Sequence, residues 1–350
     1  MSQDTLSDVL RGVRLRGAVF FNVSASSDWA AEAPAAKELA PLLMRGVDHV
    51  IEYHAVGHGS CWAGIVGGQA VQLSAGDVVM FPHGDAHVVS SAPGMRSNPD
   101  HSWFVNTHVE QLPLYVTSGR GSVSLSALPD RNADTAVVCG FLGCDLRPFN
   151  PLIDALPRML HLRANDENAW IANFTRQAVA ESQARRPGGE AMLARLSEMM
   201  FVDAVRRYCD ELPPESAGWL AGLRDRFVGR ALALMHEQPD QHWTIDELGR
   251  RVGLSRSALH ERFAELIGLP PMQYLAQWRM QAAARLLLET GATVASIALD
   301  VGYDSEAAFA RAFKRAVGKP PAAWRRERDE AGAPAKKAES GGTSLTGSGT

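Results

Sequence analysis

The chain is short of cysteine, has no long apolar run and carries little net charge of either sign. Four cysteines in 350 residues (Cys61, Cys139, Cys144 and Cys209) are too few for a disulfide scaffold, and none falls in the C-x-x-C spacing of structural zinc, so reduced thiols are expected. No stretch approaches the roughly 20 apolar residues of a membrane span, and the opening residues lack the basic start, apolar core and small-residue cleavage site of a secretory signal. A membrane is therefore not an expected partner, and the expected compartment is the cytoplasm. No glycine loop is spaced to cradle a phosphate and no Ser/His/Asp arrangement stands out, which argues against the commonest nucleotide-using and acyl-transfer enzymes. A net charge of -4 rules out a uniformly basic, nucleic-acid-coating chain.

That charge is unevenly distributed. Between Arg224 and Arg328 there are 16 Arg and Lys against 12 Asp and Glu, which leaves the remainder acidic. The same region contains an internal repeat. Ile245 to Pro271 and Ala295 to Pro321 share Val-Gly turns (Val252-Gly253, Val301-Gly302), serines (Ser255, Ser305), aromatics (Phe263, Phe313) and Gly-x-Pro-Pro exits. Each copy reads as a helix-turn-helix: a short helix, a glycine turn, a serine N-cap and a second helix with a polar outer face. Helical spacing puts Leu259, Phe263, Leu266 and Ile267 on the inner stripe of the first recognition helix and leaves Arg256, Ser257, His260 and Glu261 outward. In the second, Phe309, Phe313 and Val317 face in, and Glu306, Ala307, Ala310, Arg311 and Lys314 face out. Arg311 is suited to bidentate guanine recognition, and Ala307 to a thymine methyl. Met272 to Thr290, rich in good helix formers, predicts a connecting helix of about 27 Å, close to the roughly 34 Å between successive major grooves on one side of B-DNA. Arg279, Arg285, Lys314, Lys319 and Arg325 are the expected phosphate contacts.

With 46% hydrophobic residues the chain can bury a sizeable core, and its length favours more than one domain. From Val13 to Asp145, short apolar or alternating runs (Gly17 to Val23, His49 to His54, Ser60 to Val66, Val71 to Leu73, Asp77 to Phe81, His87 to Ser90, Trp103 to Val109, Ala136 to Leu142) predict a sandwich or barrel. From Pro151 to Tyr208 the period becomes helical, with Pro187-Gly188-Gly189 separating two helices. The second has apolar residues (Met192, Met199, Val202, Val205) beyond its main stripe, a width that suits a packed core or a homodimer seam. The expected organisation is a sensor domain over 1–150, a helical segment over 151–212 that can serve dimerisation, a linker over 213–223, a DNA-binding domain over 224–328 and a disordered tail over 329–350. The fold class is α+β and multi-domain: an N-terminal β-barrel with a helical segment, then an all-α domain of two helix-turn-helix units.

The run P-P-M-Q-Y-L-A-Q-W-R-M-Q-A-A-A-R-L-L-L, followed by I-A-L-D-V-G-Y-D-S-E-A-A-F-A-R-A-F-K-R-A-V-G-K-P-P-A-A-W-R, resembles the AraC/XylS family of transcription regulators over about Arg226 to Arg326. The resemblance implies promoter DNA as partner, RNA polymerase beside it, and activation as the usual outcome. One departure is Glu261, where many members carry Arg; Glu can accept from cytosine N4 but repels phosphate. The first half is similar to the cupin-type sensor domain of one branch of that family, on the signatures H-A-V-G-H-G-S-C-W, L-S-A-G-D-V-V-M-F-P-H-G-D-A-H and V-C-G-F-L-G-C-D, which implies a cupin-like β-barrel sensing an effector of unknown identity. There His54, Cys61, His83 and His87, with His58 nearby, form a candidate effector or divalent-metal set, although His54 to His58 does not match the compact His-x-His of metal cupins. No cofactor is required by the sequence. Cys139 and Cys144, five residues apart, are candidates for redox sensing. The rival to a regulator is a cupin-type metal-dependent enzyme with a helical appendage.

Overall fold

The computed structural model describes residues 4–332, apart from 14, 27, 45–46, 48, 98–113, 120–121, 127–129, 131, 165–168 and 185. The N-terminal half is built on two sheets. The larger contains β1 (Arg16–Ala25), β3 (His49–His58), β6 (Val78–Phe81), β8 (Leu114–Gly119), β9 (Ser122–Ser126), β10 (Thr135–Cys144) and β11 (Leu160–Leu162), in the order β11-β6-β3-β10-β1-β8-β9. The smaller runs β2-β7-β4-β5, from β2 (Ala30–Ala33), β4 (Ser60–Ile65), β5 (Val71–Ser74) and β7 (His87–Ser90). Neighbours are antiparallel except β1 and β8, which are parallel. The two sheets face each other across an apolar interior, giving an unclosed, sandwich-like barrel. The predicted runs fall on strands, except Trp103 to Val109, which lies outside the described residues. Strands β2, β8, β9 and β11 and helices α1 (Thr5–Gly12) and α2 (Ala36–Leu43) gave no periodic signal strong enough to be expected.

Strand β3 lies between two cores. Successive side chains of a strand point to opposite faces, and here both faces are covered. Ile51, Tyr53 and Ala55 join a core shared with the helices, while Val50 and Val56 join the core between the sheets. Buried on both sides, the strand lacks the regular polar alternation of a half-exposed one.

Helices α3 (Pro151–Ala155), α4 (Ala169–Ala184) and α5 (Gly189–Glu211) lead to the outer face of the large sheet. Tyr53 and Ser197 share a 2.6 Å hydrogen bond across that junction. Gly17 allows a close approach, since a Cβ there would stand 2.5 Å from the Ala194 carbonyl oxygen. Along α5 Met200, Phe201, Ala204 and Val205 are buried, whereas Met192 and Met199 are 50% and 61% exposed, so these two methionines are not covered by the described residues.

The C-terminal half comprises α6 (Trp219–Arg224), α7 (Val228–Glu237), α8 (Ile245–Val252), α9 (Arg256–Ile267), α10 (Pro271–Glu289), α11 (Val294–Asp300), α12 (Glu306–Val317) and α13 (Pro321–Gly332). Two expectations are corrected. The segment read as a linker, 213–223, holds α6 from Trp219 onward, because Trp219 and Leu220 bury against the helical core and the Trp219 indole donates to Tyr274 Oη at 2.8 Å. The tail expected from 329 is helical to Gly332, since Trp324 is buried against Phe313 and Arg325 donates to the Leu287 and Ala292 carbonyls.

The two helix-turn-helix units sit in different cores. Leu248, Val252, Leu259 and Phe263 of the first belong to a cluster that continues through Trp219, Leu152 and Phe201 to the large sheet. Ile297, Val301, Phe309, Phe313 and Val317 of the second form a separate cluster with Ala283, Leu287 and Trp324. Helix α10 contributes to both.

Candidate functional site

Each recognition helix starts at a serine whose hydroxyl accepts from the backbone two to three positions inside the helix, as an N-cap should. Ser255 Oγ accepts from Ala258 N–H and Ser305 Oγ from Ala308 N–H, both at 3.3 Å. The preceding helices repeat the device, with Thr244 accepting from Glu247 and Thr293 from Ser296. At the turn of the first unit Gly253 adopts φ 85°, a left-handed conformation that glycine enters without steric cost, and Gly302 matches it in the second at φ 78°.

The caps and inner stripes leave Arg256, Ser257, His260 and Glu261 exposed on α9, and Glu306, Ala307, Arg311 and Lys314 exposed on α12, while Ala310 is half-buried. Arg256 is held loosely by Asp246 at 3.4 Å. Among the described residues, Arg311 and Lys314 make no hydrogen bond or ion pair. The other expected phosphate contacts are engaged within the fold. Arg279 donates to the Pro239 and Gln241 carbonyls and is more than half buried, with desolvation lowering its pKa; Arg325 is committed to carbonyls as above. Lys319 pairs with Glu327, and Arg285 stands 3.5 Å from Glu289. Arginine spacing along a helix cannot distinguish a cation facing DNA from one satisfying backbone carbonyls, and Arg279 and Arg325 do the latter, Arg279 for the loop after α7 and Arg325 for the last turn of α10 and the loop beyond it.

The second candidate lies between the sheets. A cavity of about 130 Å³ is lined by Phe21, Trp29, Val89, Val116, Val137 and Phe141 among others, with Glu52, His54, His87 and Cys139 as its main polar groups. Its hydrogen bonds have one consistent direction. His87 Nδ1 lies 2.8 Å from the Asp85 carbonyl, which can only accept, so this nitrogen carries the proton. Burial pushes the pKa of His87 down to about 4 and that of His54 well below its usual value, and both rings are neutral. His87 Nε2 therefore accepts from His54 Nε2 at 2.7 Å, which makes His54 Nδ1 an acceptor for the Cys139 thiol at 2.8 Å. That thiol is protonated, because burial raises its pKa well above the ordinary range. Glu52 Oε2 stands 3.5 Å from His87 Nε2, whose lone pair is already used, and Glu52 Oε1 is buried without a partner. Burial also raises the Glu52 carboxyl well above the carboxylate range.

Of the four residues expected at an effector or metal site, His54 and His87 meet. His83 is turned to the Leu156 carbonyl at 2.8 Å, and Cys61 is buried in β4 outside the cavity lining, its thiol pushed up to about 12 by burial and by Asp77. His58 is exposed at the end of β3. Glu52 was missed, although two-residue periodicity places it on the same face of the strand as His54. Glu52, His54 and His87 form a group whose ligand atoms lie within 4.8 Å of one another and could hold a cation. The redox candidates Cys139 and Cys144 are not brought together. An odd separation on β10 puts them on opposite faces, Cys139 beside the cavity and Cys144 in the helix-facing core, and five strand residues span about 16 Å, against the roughly 7 Å limit for a disulfide.

A sandwich around a mainly apolar cavity, joined to paired helix-turn-helix units with exposed polar faces, has the architecture of a DNA-binding regulator. Residues 4–210 match a family model described as cupin, and residues 248–327 one described as a helix-turn-helix domain. An AraC-like transcription regulator of Streptomyces lividans is 30% identical over 325 residues, 92% of this chain and 98% of that one. The HTH-type transcriptional regulator AlkR of Acinetobacter baylyi is 25% identical over 93% of this chain and 99% of its own. Among solved structures, the DNA-binding domain of AdpA in complex with a target DNA is 29% identical over 29% of this chain and 91% of that chain, with a TM-score of 0.28. The chain belongs to the AraC family of transcription regulators, as a DNA-binding member with a cupin N-terminal domain. Its relatives are regulators, which sets aside the cupin-enzyme alternative. No described helix is long and apolar enough to cross a membrane.

Proposed function

We propose that the inter-sheet cavity receives a small effector, and that its occupancy changes how the chain, as a cytoplasmic homodimer, engages promoter DNA and recruits RNA polymerase to raise transcription. The observation that carries this reading is the double duty of β3: Glu52 and His54 line the cavity, while Ile51, Tyr53 and Ala55 on the opposite face pack into the core that reaches the first helix-turn-helix. A displacement of this strand by a ligand is felt directly by the reader. Arg256, Ser257, His260 and Glu261 of the first unit and Glu306, Ala307 and Arg311 of the second are the proposed base contacts, with Lys314 as the phosphate contact best supported by its exposure. The exposed Met192 and Met199, seven residues apart on α5, support a dimer seam. The test is fluorescence anisotropy of the full chain on its own promoter DNA across a salt series. A preference over random DNA, with affinity falling steeply as salt rises, is expected; equal affinity for both would overturn the reading.

A second reading, a divalent cation on Glu52, His54 and His87, is supported by the donor types, with His87 Nδ1 oriented by a carbonyl as for a metal-ligating imidazole. The present spacing does not fit it. Two nitrogens on one tetrahedral ion stand about 3.3 Å apart at bond lengths of about 2.0 to 2.1 Å, whereas the two Nε2 atoms are 2.7 Å apart, sharing a proton. Elemental analysis of protein purified without chelator decides between them.

A further inference from the structure

The cavity also restricts the chemistry of what fills it, an inference that rests on its being the effector site. Its volume, about 130 Å³, is close to the engineered cavity of about 150 Å³ that binds benzene. The rings of Phe21, Trp29 and Phe141 and the aliphatic chains of Val116 and Val137 form most of the wall. Among the described residues no Arg or Lys lines it, and of its two carboxyl groups Glu32 is already held bidentately by Arg96 at 2.6 and 2.7 Å. An anion would find no counter-charge. The Cys139, His54, His87 and Asp85 chain is complete within itself, each donor matched to one acceptor, and offers nothing to a second charged group without being broken. Two polar residues of the lining remain, Ser118 and Glu52. Glu52 Oε1 is fully buried in the wall with no hydrogen-bond partner, and leaving a buried acceptor unmade is costly enough that a ligand supplying its donor gains specificity from it.

We propose that the cavity binds a compact, uncharged, mainly apolar molecule of about six to eight non-hydrogen atoms bearing a single hydroxyl that bonds Glu52. A ring the size of benzene fills the apolar walls and its hydroxyl completes Glu52. Carboxylates are disfavoured because no cation among the described residues lines the cavity, and ammonium groups because the Glu52 carboxyl, kept neutral by burial, supplies no counter-ion.

The test uses the full chain with phenol, benzene, benzoate and benzylamine as probes, read by calorimetry and thermal shift. Phenol is expected to bind at least about tenfold more tightly than benzene, to raise Tm by about 4 °C or more near 100 times its Kd, and to do so with no metal present. Benzoate and benzylamine should leave Tm unmoved. In Glu52→Leu, phenol should fall to the affinity of benzene while benzene is unchanged or improved, and the ligand-free Tm should not drop, because a buried carboxyl without a partner is removed. Val116→Trp, which fills the cavity, should abolish both. Binding of benzoate or benzylamine as tight as phenol, absence of binding by phenol and benzene alike, or stoichiometric zinc displacing phenol would each overturn the proposal. Promoter binding by ligand-free chain, measured alongside, stands or falls separately.

Discussion

Gln281 bonds the N-terminal half to the helix that carries both DNA readers. Its side chain is 2% exposed in the middle of α10; Nε2 donates to the Gly12 carbonyl at 2.7 Å and Oε1 accepts from Phe149 N–H at 3.0 Å. Both partners belong to the sensor half, Gly12 at the end of α1 and Phe149 just before α3. Gln281→Leu keeps the approximate volume and removes both bonds. Each orphaned backbone group costs about 1 to 3 kcal/mol, and the added apolar surface of leucine returns about 1 kcal/mol, so a net loss near 3 kcal/mol is expected. Urea denaturation should show it as a lower midpoint. Hydrogen exchange localises it: the Phe149 amide, whose acceptor is gone, should exchange faster in the variant, while amides of α12, in the separate core of the second reader, keep their rates. Basal promoter binding should persist and its response to effector should shrink, because the reader faces are untouched and only their attachment is loosened. A Phe149 amide equally protected in both proteins, with the midpoint unchanged, would refute the claim that this residue joins the two halves.

Other consequences are as direct. Arg311→Ala should weaken promoter binding by about 1 to 3 kcal/mol and relax base preference at one position, whereas Arg279→Ala should act mainly by lowering stability, because that guanidinium closes carbonyls of Pro239 and Gln241; anisotropy and melting temperature separate the two. Gly17→Val should destabilise by at least about 1 to 3 kcal/mol through overpacking, since a Cβ already meets the Ala194 backbone at 2.5 Å, and a melting temperature within a degree of the parent would contradict that contact. Burial pushes the pKa of His236 down to about 3, its ring stacked on Trp278 at 3.7 Å and accepting from Tyr274. The unfolded chain takes up the proton first as pH falls through about 6.5, so this contribution is complete above that pH and is lost towards 3, by about 1.5 kcal/mol between pH 6.5 and 5.0. Denaturation of His236→Phe across the same range should show a slope reduced by that amount.

Some of this architecture could be read from residue types alone. The tandem readers were legible because helix caps, glycine turns and inner stripes are local, and each is written twice: Ser255 and Ser305, Gly253 and Gly302, Phe263 and Phe313. The strands near Ser60 and His87 were legible for the same reason, bounded as they are by turn residues. Glu52 was not, since one carboxylate in an apolar strand looks like any solvated residue until a second sheet covers it. The roles of Arg279 and Arg325 depend on which carbonyls the chain brings near them, and the separation of Cys139 from Cys144 was available from strand parity only once the segment was known to be one unbroken strand.

The division of the two readers between cores gives their repetition a functional asymmetry. The first shares a continuous apolar cluster with the sensor domain and is joined to it by Trp219, which donates to Tyr274, and by Gln281. The second has its own core and meets the rest of the chain through α10, α13 and the Arg328 ion pair with Asp145 at 3.5 Å. Interiors packed to crystal-like density transmit displacement instead of absorbing it, so a change at β3 reaches the first reader through one continuous packed core and reaches the second by the less direct route of α10, α13 and the Arg328 pair. Under the proposed function, the first reader, with Glu261 on its exposed face, is the one whose contacts an effector would modulate, and the second, with Arg311 free of other partners among the described residues, would supply the constant part of the affinity.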